Sequence, residues 1–271
     1  MENQSYKYLE NYLDELQSSG KISFSWVGLK MRFSGRSENS LKLALNRLVK
    51  KGKLVAFYKG FYLIIPPEYR KRKILPLELF IDQFFRFLDR EYYVGLLSAA
   101  AYYGAAHQAV MESFVFIQKP PMRRSESEGL KVNYLVKSVF PEPGIIKRKS
   151  DAGYFRISSP ELTAIDLVAY YKQAGGMNRV AEVLSELSEQ MNAQKLYEIL
   201  NDSIPVAVLQ RLGYILEEVL READLANPVY DYLSTRNLFP VRLIGDKSGS
   251  HCRVNQKWKV IENYSIECRL D

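Results

Sequence analysis

Cysteine and histidine are scarce in this 271-residue chain: two of each, Cys252, Cys268, His107 and His251. So few cysteines give no disulfide framework and suit a reducing cytosol. A zinc site would have to recruit all four residues, and their spacing is not that of metal ligands. Long apolar runs are missing as well; nothing approaches the roughly 18–20 uninterrupted apolar residues of a membrane helix. The opening MENQSYKYLENYLDEL sets acids among its apolar residues, unlike a signal peptide. Three catalytic signatures are also absent: a Gly-Lys-Ser/Thr phosphate loop, a Gly-x-Ser-x-Gly elbow and a His-Glu-x-x-His pair. GDKSGSHCR, 245–253, has the Gly-Ser of a nucleotidyltransferase without the paired acids, and reads as a hairpin turn. The expectation is a soluble, cytoplasmic, non-enzymatic protein with no cofactor, no metal and no membrane partner.

What is present is apolar and aromatic text in plenty, 47% and 13%, enough for a buried core. The length suits two ordinary domains. Charge is unevenly spread. Residues 1–73 carry fifteen Lys/Arg against six Asp/Glu, a balance of +9, and 119–149 carry +5; 74–118 and 150–271 come to −3 and −4. Basic charge gathered at one end and in one mid-chain segment points to a polyanion partner, with a merely solvated basic surface as the alternative.

The spacing predicts helices over 5–18 (Tyr6, Leu9, Leu13, Leu16), 24–33 and 37–51, the last capped by Ser37 and stopped by Gly52. KLVAF and GFYLII then read as a hairpin turning at Tyr58-Lys59-Gly60. Three helices and a hairpin are the order of a winged helix-turn-helix, and we assign it residues 1–72. Projected at 100° per residue, the third helix gathers Leu41, Ala44, Leu45, Leu48 and Val49 on one face. Opposite lie Asn39, Leu43, Asn46 and Lys50, flanked by Arg36, Lys42 and Arg47. Asn pairs with adenine, Arg with guanine, and a leucine touches a thymine methyl. The N-terminal half of such a helix approaches the bases, which ranks Arg36, Asn39, Lys42 and Leu43 first. Lys50, Lys51, Lys53 and Lys59, with the Tyr58 hydroxyl, are placed for phosphates.

A proline-rich basic linker, 66–78, leads into the second domain, 73–271. Helices are expected over 77–90 and 93–106, and short strands in SFVFIQKP, KVNYLVKS and GYFRISS form a small sheet over 113–158. Helices return at 160–173, 177–191, 193–201, 205–224 and 227–236, and strand-like text closes the chain in PVRLIG and KWKVIENYSIE. The fold class is α+β, a winged helix-turn-helix followed by a mixed α/β domain with a small sheet and a helical bundle. Loops around that sheet hold Lys119, Arg123, Arg124, Lys147, Arg148 and Lys149, which either extend a nucleic-acid footprint or keep a sheet edge soluble.

The ordered set of motifs resembles the AbiEi family of type IV toxin–antitoxin (abortive infection) systems. The resemblance rests on the hairpin and proline exit KGKLVAFYKGFYLIIPPEY, the small-residue helix YYVGLLSAAAYYGAA, the strand, turn and helix FRISSPELTAIDLVAYY, and the ending QKWKVIENYSIE. It implies a DNA-binding repressor of its own operon that binds double-stranded operator DNA through the helix 36–50. It also implies a C-terminal antitoxin domain that opposes a neighbouring nucleotidyltransferase toxin indirectly, without needing a stable complex with it. The resemblance supplies no catalytic residues. Alternatives are a winged-helix protein-interaction scaffold and a nucleic-acid-processing enzyme.

Within 155–171, Ser159 is placed to cap a helix that starts at Pro160, with Glu161 at its positive end. Asp166 falls among apolar residues and needs a partner; Arg156 on the preceding strand is one candidate. A structural buried pair is the expected reading, and a functional acid the alternative.

Overall fold

The computed structural model describes residues 7–70, 75–106, 112–127 and 129–267. Tyr6, His107, Cys268 and the basic run 71–73 lie outside the described residues. Two compact units are present. The first comprises residues 1–92, 111–136 and 147–156; the second comprises 93–110, 137–146 and 157–271.

The first unit opens with α1 (Lys7–Ser18), β1 (Ser23–Ser25), α2 (Trp26–Arg32), α3 (Glu38–Lys50), β2 (Leu54–Tyr58) and β3 (Phe61–Ile64). Phe24 was expected in a helix; it lies instead in β1, which pairs antiparallel with β3, giving the sheet order β1-β3-β2. The Ser25 hydroxyl accepts the Gly28 N–H at 3.0 Å and so delays α2 by two residues. Ser37 caps α3 by accepting from Ser40 N at 3.3 Å, and Gly52, at φ +65°, ends the turn after it. Ala44, Leu45 and Leu48 of α3 are buried with Leu9, Leu13, Phe24, Leu29, Leu54 and Ile64 in one core, and Leu41 on the same face of α3 is buried too. Gly60, at φ +77°, makes the hairpin turn.

After the short turn α4 (Pro67–Arg70), α5 (Leu77–Leu88) buries Leu77, Phe80, Ile81, Phe84 and Phe85, the i, i+3, i+4 stripe of an amphipathic helix. That stripe covers the hairpin: the Phe57 ring lies 5.0 Å from both Phe80 and Phe84. A six-stranded sheet follows the order β6-β7-β5-β4-β9-β8, with β4 (Tyr92–Val94), β5 (Ser113–Ile117), β6 (Ser125–Ser127), β7 (Leu130–Val136), β8 (Ile145–Ser150) and β9 (Gly153–Ser158). In the first unit β5 and β7 pair in parallel and β6 and β7 antiparallel. Three segments depart from expectation here. Tyr93 and Val94 are strand, not helix; Ser125–Ser127 is strand, not loop; and Lys147–Lys149 lie on β8, at the sheet's end, not in a loop. Edge strands carry charge because unpaired backbone invites another strand, which is how so basic a run comes to be β.

The second unit is mainly helical: α6 (Leu96–Tyr102), α7 (Pro160–Ala169), α8 (Met177–Ser188), α9 (Ala193–Ile199), α10 (Val206–Tyr214) and α11 (Ala223–Ser234). Every residue of α7 from Glu161 to Val168 is buried, and α6, α8, α9 and α10 pack against it. A helix covered on all sides sits at the centre of its unit, and its polar residues Glu161, Thr163 and Asp166 must then find partners inside. The helix expected over 205–224 breaks into a π turn, Ile215–Val219, and α11 begins earlier than expected, at Ala223. At the end, β10 (Val241–Arg242) pairs in parallel and β11 (Val254–Asn255) antiparallel with β12 (Val260–Ile261). β12 lies between the other two, so 245–253 links non-neighbouring strands and is not the expected hairpin turn. Among the described residues no helix is long and apolar enough to cross a membrane.

Candidate nucleic-acid interface

α3 buries its leucine stripe and turns the opposite side to water. Arg36, Asn39, Lys42, Leu43, Asn46, Arg47, Lys50 and Lys51 are all exposed, as are Tyr58 and Lys59 at the hairpin tip. Leu43 is 60% exposed on a helix whose other leucines are buried. Lys53 is set apart: it is half-buried, with Nζ 2.7 Å from Glu10.

Side chains around α3 orient several of these groups. The Arg36 guanidinium lies 3.7 Å above the Tyr8 ring, and Tyr8 meets Phe33 edge-on at 5.0 Å. A cation over an aromatic face is held without losing its charge. Glu38, in the first turn of α3, accepts from Lys30 of α2 and lies 3.8 Å from Lys42. Lys42 Nζ also sits 5.7 Å from the Trp26 ring. Lys30 hydrogen-bonding and charge hold the Glu38 carboxyl below its ordinary pKa. Sequence reasoning missed Tyr8, Lys30 and Glu38, because α1 and α2 were read only as support for α3.

The mid-chain cations differ among themselves. Arg123 and Lys119 are exposed in the segment between β5 and β6, while Arg124 is paired with Glu112 at 3.2 Å and with Glu126. Lys147, Arg148 and Lys149 are exposed along β8. All of them fall in the same compact unit as α3. Counted over the whole sequence, that unit holds 25 Lys/Arg and 14 Asp/Glu, +11; the other holds 13 and 17, −4. The division by contacts therefore also divides the charge. A cleft of about 490 Å³ in the first unit, between the end of α5 and the β8–β9 hairpin, is lined by Arg86, Arg90, Lys147 and Arg156 among others. Acids match much of that charge: Asp82 lies 2.8 Å from Arg86, and Glu91 pairs with Arg156.

In the second unit the motif residues are spent on architecture. Ser159 caps α7 by accepting from Leu162 N at 3.3 Å; the Thr163 hydroxyl donates to Ser159 O at 2.8 Å; Glu161, buried, accepts from Asn192 N at 3.0 Å. Asp166 does have a partner, but not Arg156. Lys137 Nζ lies 2.6 Å from one carboxylate oxygen and Tyr93 donates to the other at 2.8 Å. The Asp166 carboxyl is pushed above its ordinary pKa by burial, with Lys137 and Tyr93 pulling the other way. Burial, with Asp166 beside it, also pushes the Tyr93 hydroxyl well up. Near the C-terminus Trp258 donates to Glu217 at 2.7 Å, and Asn263 bridges Ile244 O and Lys247 O at 2.8 and 2.9 Å.

Comparison with known proteins bears on the middle of the chain first. The family model described as the AbiEi antitoxin C-terminal domain matches residues 93–218. No curated protein matches the chain. Among solved structures, the crystal structure of RV2827C protein from Mycobacterium tuberculosis has a TM-score of 0.63, covering 94% of this chain and 90% of that one. At 17% identity that likeness speaks to the fold alone. Residues 93–218, which include the helices packed around α7, thus carry the match to the AbiEi antitoxin C-terminal domain, and that domain supports an antitoxin role in a toxin–antitoxin system.

Proposed function

We propose that this antitoxin is also a DNA-binding repressor of its own operon, and that the toxin it counters is a nucleotidyltransferase. In this reading residues 1–72 are a winged helix-turn-helix that enters operator DNA with α3, and 73–271 are the antitoxin domain. Arg36, Asn39, Lys42 and Leu43 meet base edges first, Asn46 and Arg47 lie further along, and Lys50, Lys51, Lys53, Tyr58 and Lys59 meet phosphates. Lys53 has to exchange Glu10 for a phosphate to do so. Arg123, Arg124, Lys147, Arg148 and Lys149 extend the same footprint.

The observation that carries the reading is the exposed face of α3. Asn39, Leu43, Asn46 and Lys50 stand in water opposite a fully packed leucine stripe. A leucine 60% exposed between two asparagines gains nothing from solvent, and finds a use against a thymine methyl. The charge division supports the same conclusion, since +11 gathers in the unit that holds α3. The toxin class rests on the family resemblance.

Two experiments test it. Gel-shift titration of the full chain on DNA from upstream of its own reading frame is expected to give discrimination over a scrambled duplex, with affinity falling steeply with salt. Co-expression with the neighbouring gene is expected to restore growth if that gene encodes the nucleotidyltransferase. Equal binding to both duplexes contradicts repression, and unrelieved toxicity contradicts the toxin assignment.

A further inference from the structure

Glu38 is the one acid placed at the end of α3 where the bases are approached. Its carboxylate is half-exposed and contacts two cations at once, Lys30 of α2 and Lys42 of α3 at 3.8 Å. Lys30 and Lys42 side chains are 44% and 58% exposed, so both reach solvent and neither is a core residue. A carboxylate here opposes phosphate binding in two ways: it repels the polyanion, and it occupies the two lysines that would meet it. As a contribution to folding, an exposed ion pair of this kind is weak and exchangeable. Its consequence is therefore sought at the surface, where a partner competes for the same cations.

A carboxylate in the major groove accepts best from the N4 amine of cytosine, because the adenine N6 amine sits beside the N7 lone pair that repels it. Where no cytosine faces it, Glu38 stays on Lys30 and Lys42 and the duplex gains little from them. Where a cytosine does, the carboxylate is satisfied by the base and both lysines are released to phosphates. The arrangement thus lowers affinity for arbitrary DNA more than affinity for the right site, which is how specificity is built from a repulsive element.

We propose that Glu38 is a specificity-determining residue that restrains Lys30 and Lys42 on arbitrary DNA and releases them by accepting from a cytosine amine in the operator. This rests on the DNA-binding reading above and gives that site a chemical discriminator.

The test is Glu38→Gln in the full chain, titrated with the upstream duplex and with a scrambled duplex of equal composition over a range of salt concentrations. One phosphate contact is worth about eightfold in affinity near 0.1 M salt, so scrambled-duplex binding is expected to rise about five- to tenfold or more. The dependence of log affinity on log salt should steepen by about one to two contacts on that duplex. Upstream-duplex affinity is expected to change less, so the ratio between the two falls. Adding Lys30→Gln and Lys42→Gln to Glu38→Gln should cancel the gain on the scrambled duplex, which assigns it to those lysines; a gain that survives their removal would overturn the restraint. If the wild type discriminates and Glu38→Gln discriminates equally well with unchanged salt dependence, the role of Glu38 is overturned while DNA binding stands. If the wild type shows no preference for the upstream duplex, both the DNA-binding reading and the role built on it fail.

Discussion

The Lys137 ammonium lies 2.6 Å from the Asp166 carboxylate, and Asp166 has no exposed surface. The Tyr93 hydroxyl closes this buried contact from the other side. Burial dominates the titration of Asp166 and raises its pKa. A carboxyl raised in this way favours the folded state fully below its unfolded value. That contribution is lost as pH rises through the interval up to the folded value. Lys137 limits the loss by steadying the ionised form.

Lys137→Met should therefore strand a carboxylate. The expected cost at neutral pH is about 3 kcal/mol, as for other buried pairs broken from one side. Removing the cation raises the Asp166 pKa further, so the deficit relative to wild type shrinks as pH falls and the carboxyl takes up a proton. Chemical denaturation of both proteins at mildly acidic and mildly alkaline pH checks this. A deficit that does not vary with pH would show that Lys137 acts through packing alone.

A second prediction concerns α10. A Cβ at Gly213 would lie 2.0 Å from Cζ3 of the buried Trp258, so no side chain fits without moving the indole. Gly213→Ala is expected to destabilise by about 1–3 kcal/mol, the usual cost of overpacking. Adding Trp258→Leu should recover part of that loss, because the two residues share one space. Melting temperatures of the two singles and the double measure the coupling; strict additivity would contradict the contact.

In the DNA-binding reading, Asn39 and Lys50 should fail differently. Asn39→Ala is expected to cost about 1–3 kcal/mol at one base pair and to relax the preference there. Lys50→Ala should weaken all sequences alike and lower the salt dependence by about one contact. Competition with singly substituted duplexes separates the two patterns, and identical losses would remove the division of roles along α3.

Much of this architecture was legible in the residues themselves. α3 and α7 were readable because their signals are local: Ser37 and Ser159 cap within three residues, and the leucine stripe of α3 keeps helical spacing. The partner of Asp166 was not readable, because Lys137 is 29 residues away and is brought to it only by the fold. Arg156 was the natural guess from chain proximity, and it pairs instead with Glu91. β8 was read as loop because Lys147-Arg148-Lys149 looks like solvent text, whereas an edge strand wants that text. The break after α10 was hidden for a similar reason. Nothing within 205–224 announces that Trp258, some forty residues on, will sit against Gly213 and hydrogen-bond Glu217. At the interface the exposed face of α3 followed from periodicity, while the Tyr8–Arg36 stack and the Lys30–Glu38–Lys42 cluster depend on how α1 and α2 fold back.

The central claim is that the exposed face of α3 reads a duplex. The most direct measurement is the affinity of the full chain for DNA upstream of its own reading frame, set against a variant carrying Asn39→Ala, Leu43→Ala and Asn46→Ala, on that duplex and on a scrambled one. The prediction is a wild-type preference that the triple variant loses, with scrambled-duplex binding and melting temperature nearly unchanged. A triple variant that keeps the full preference would contradict it.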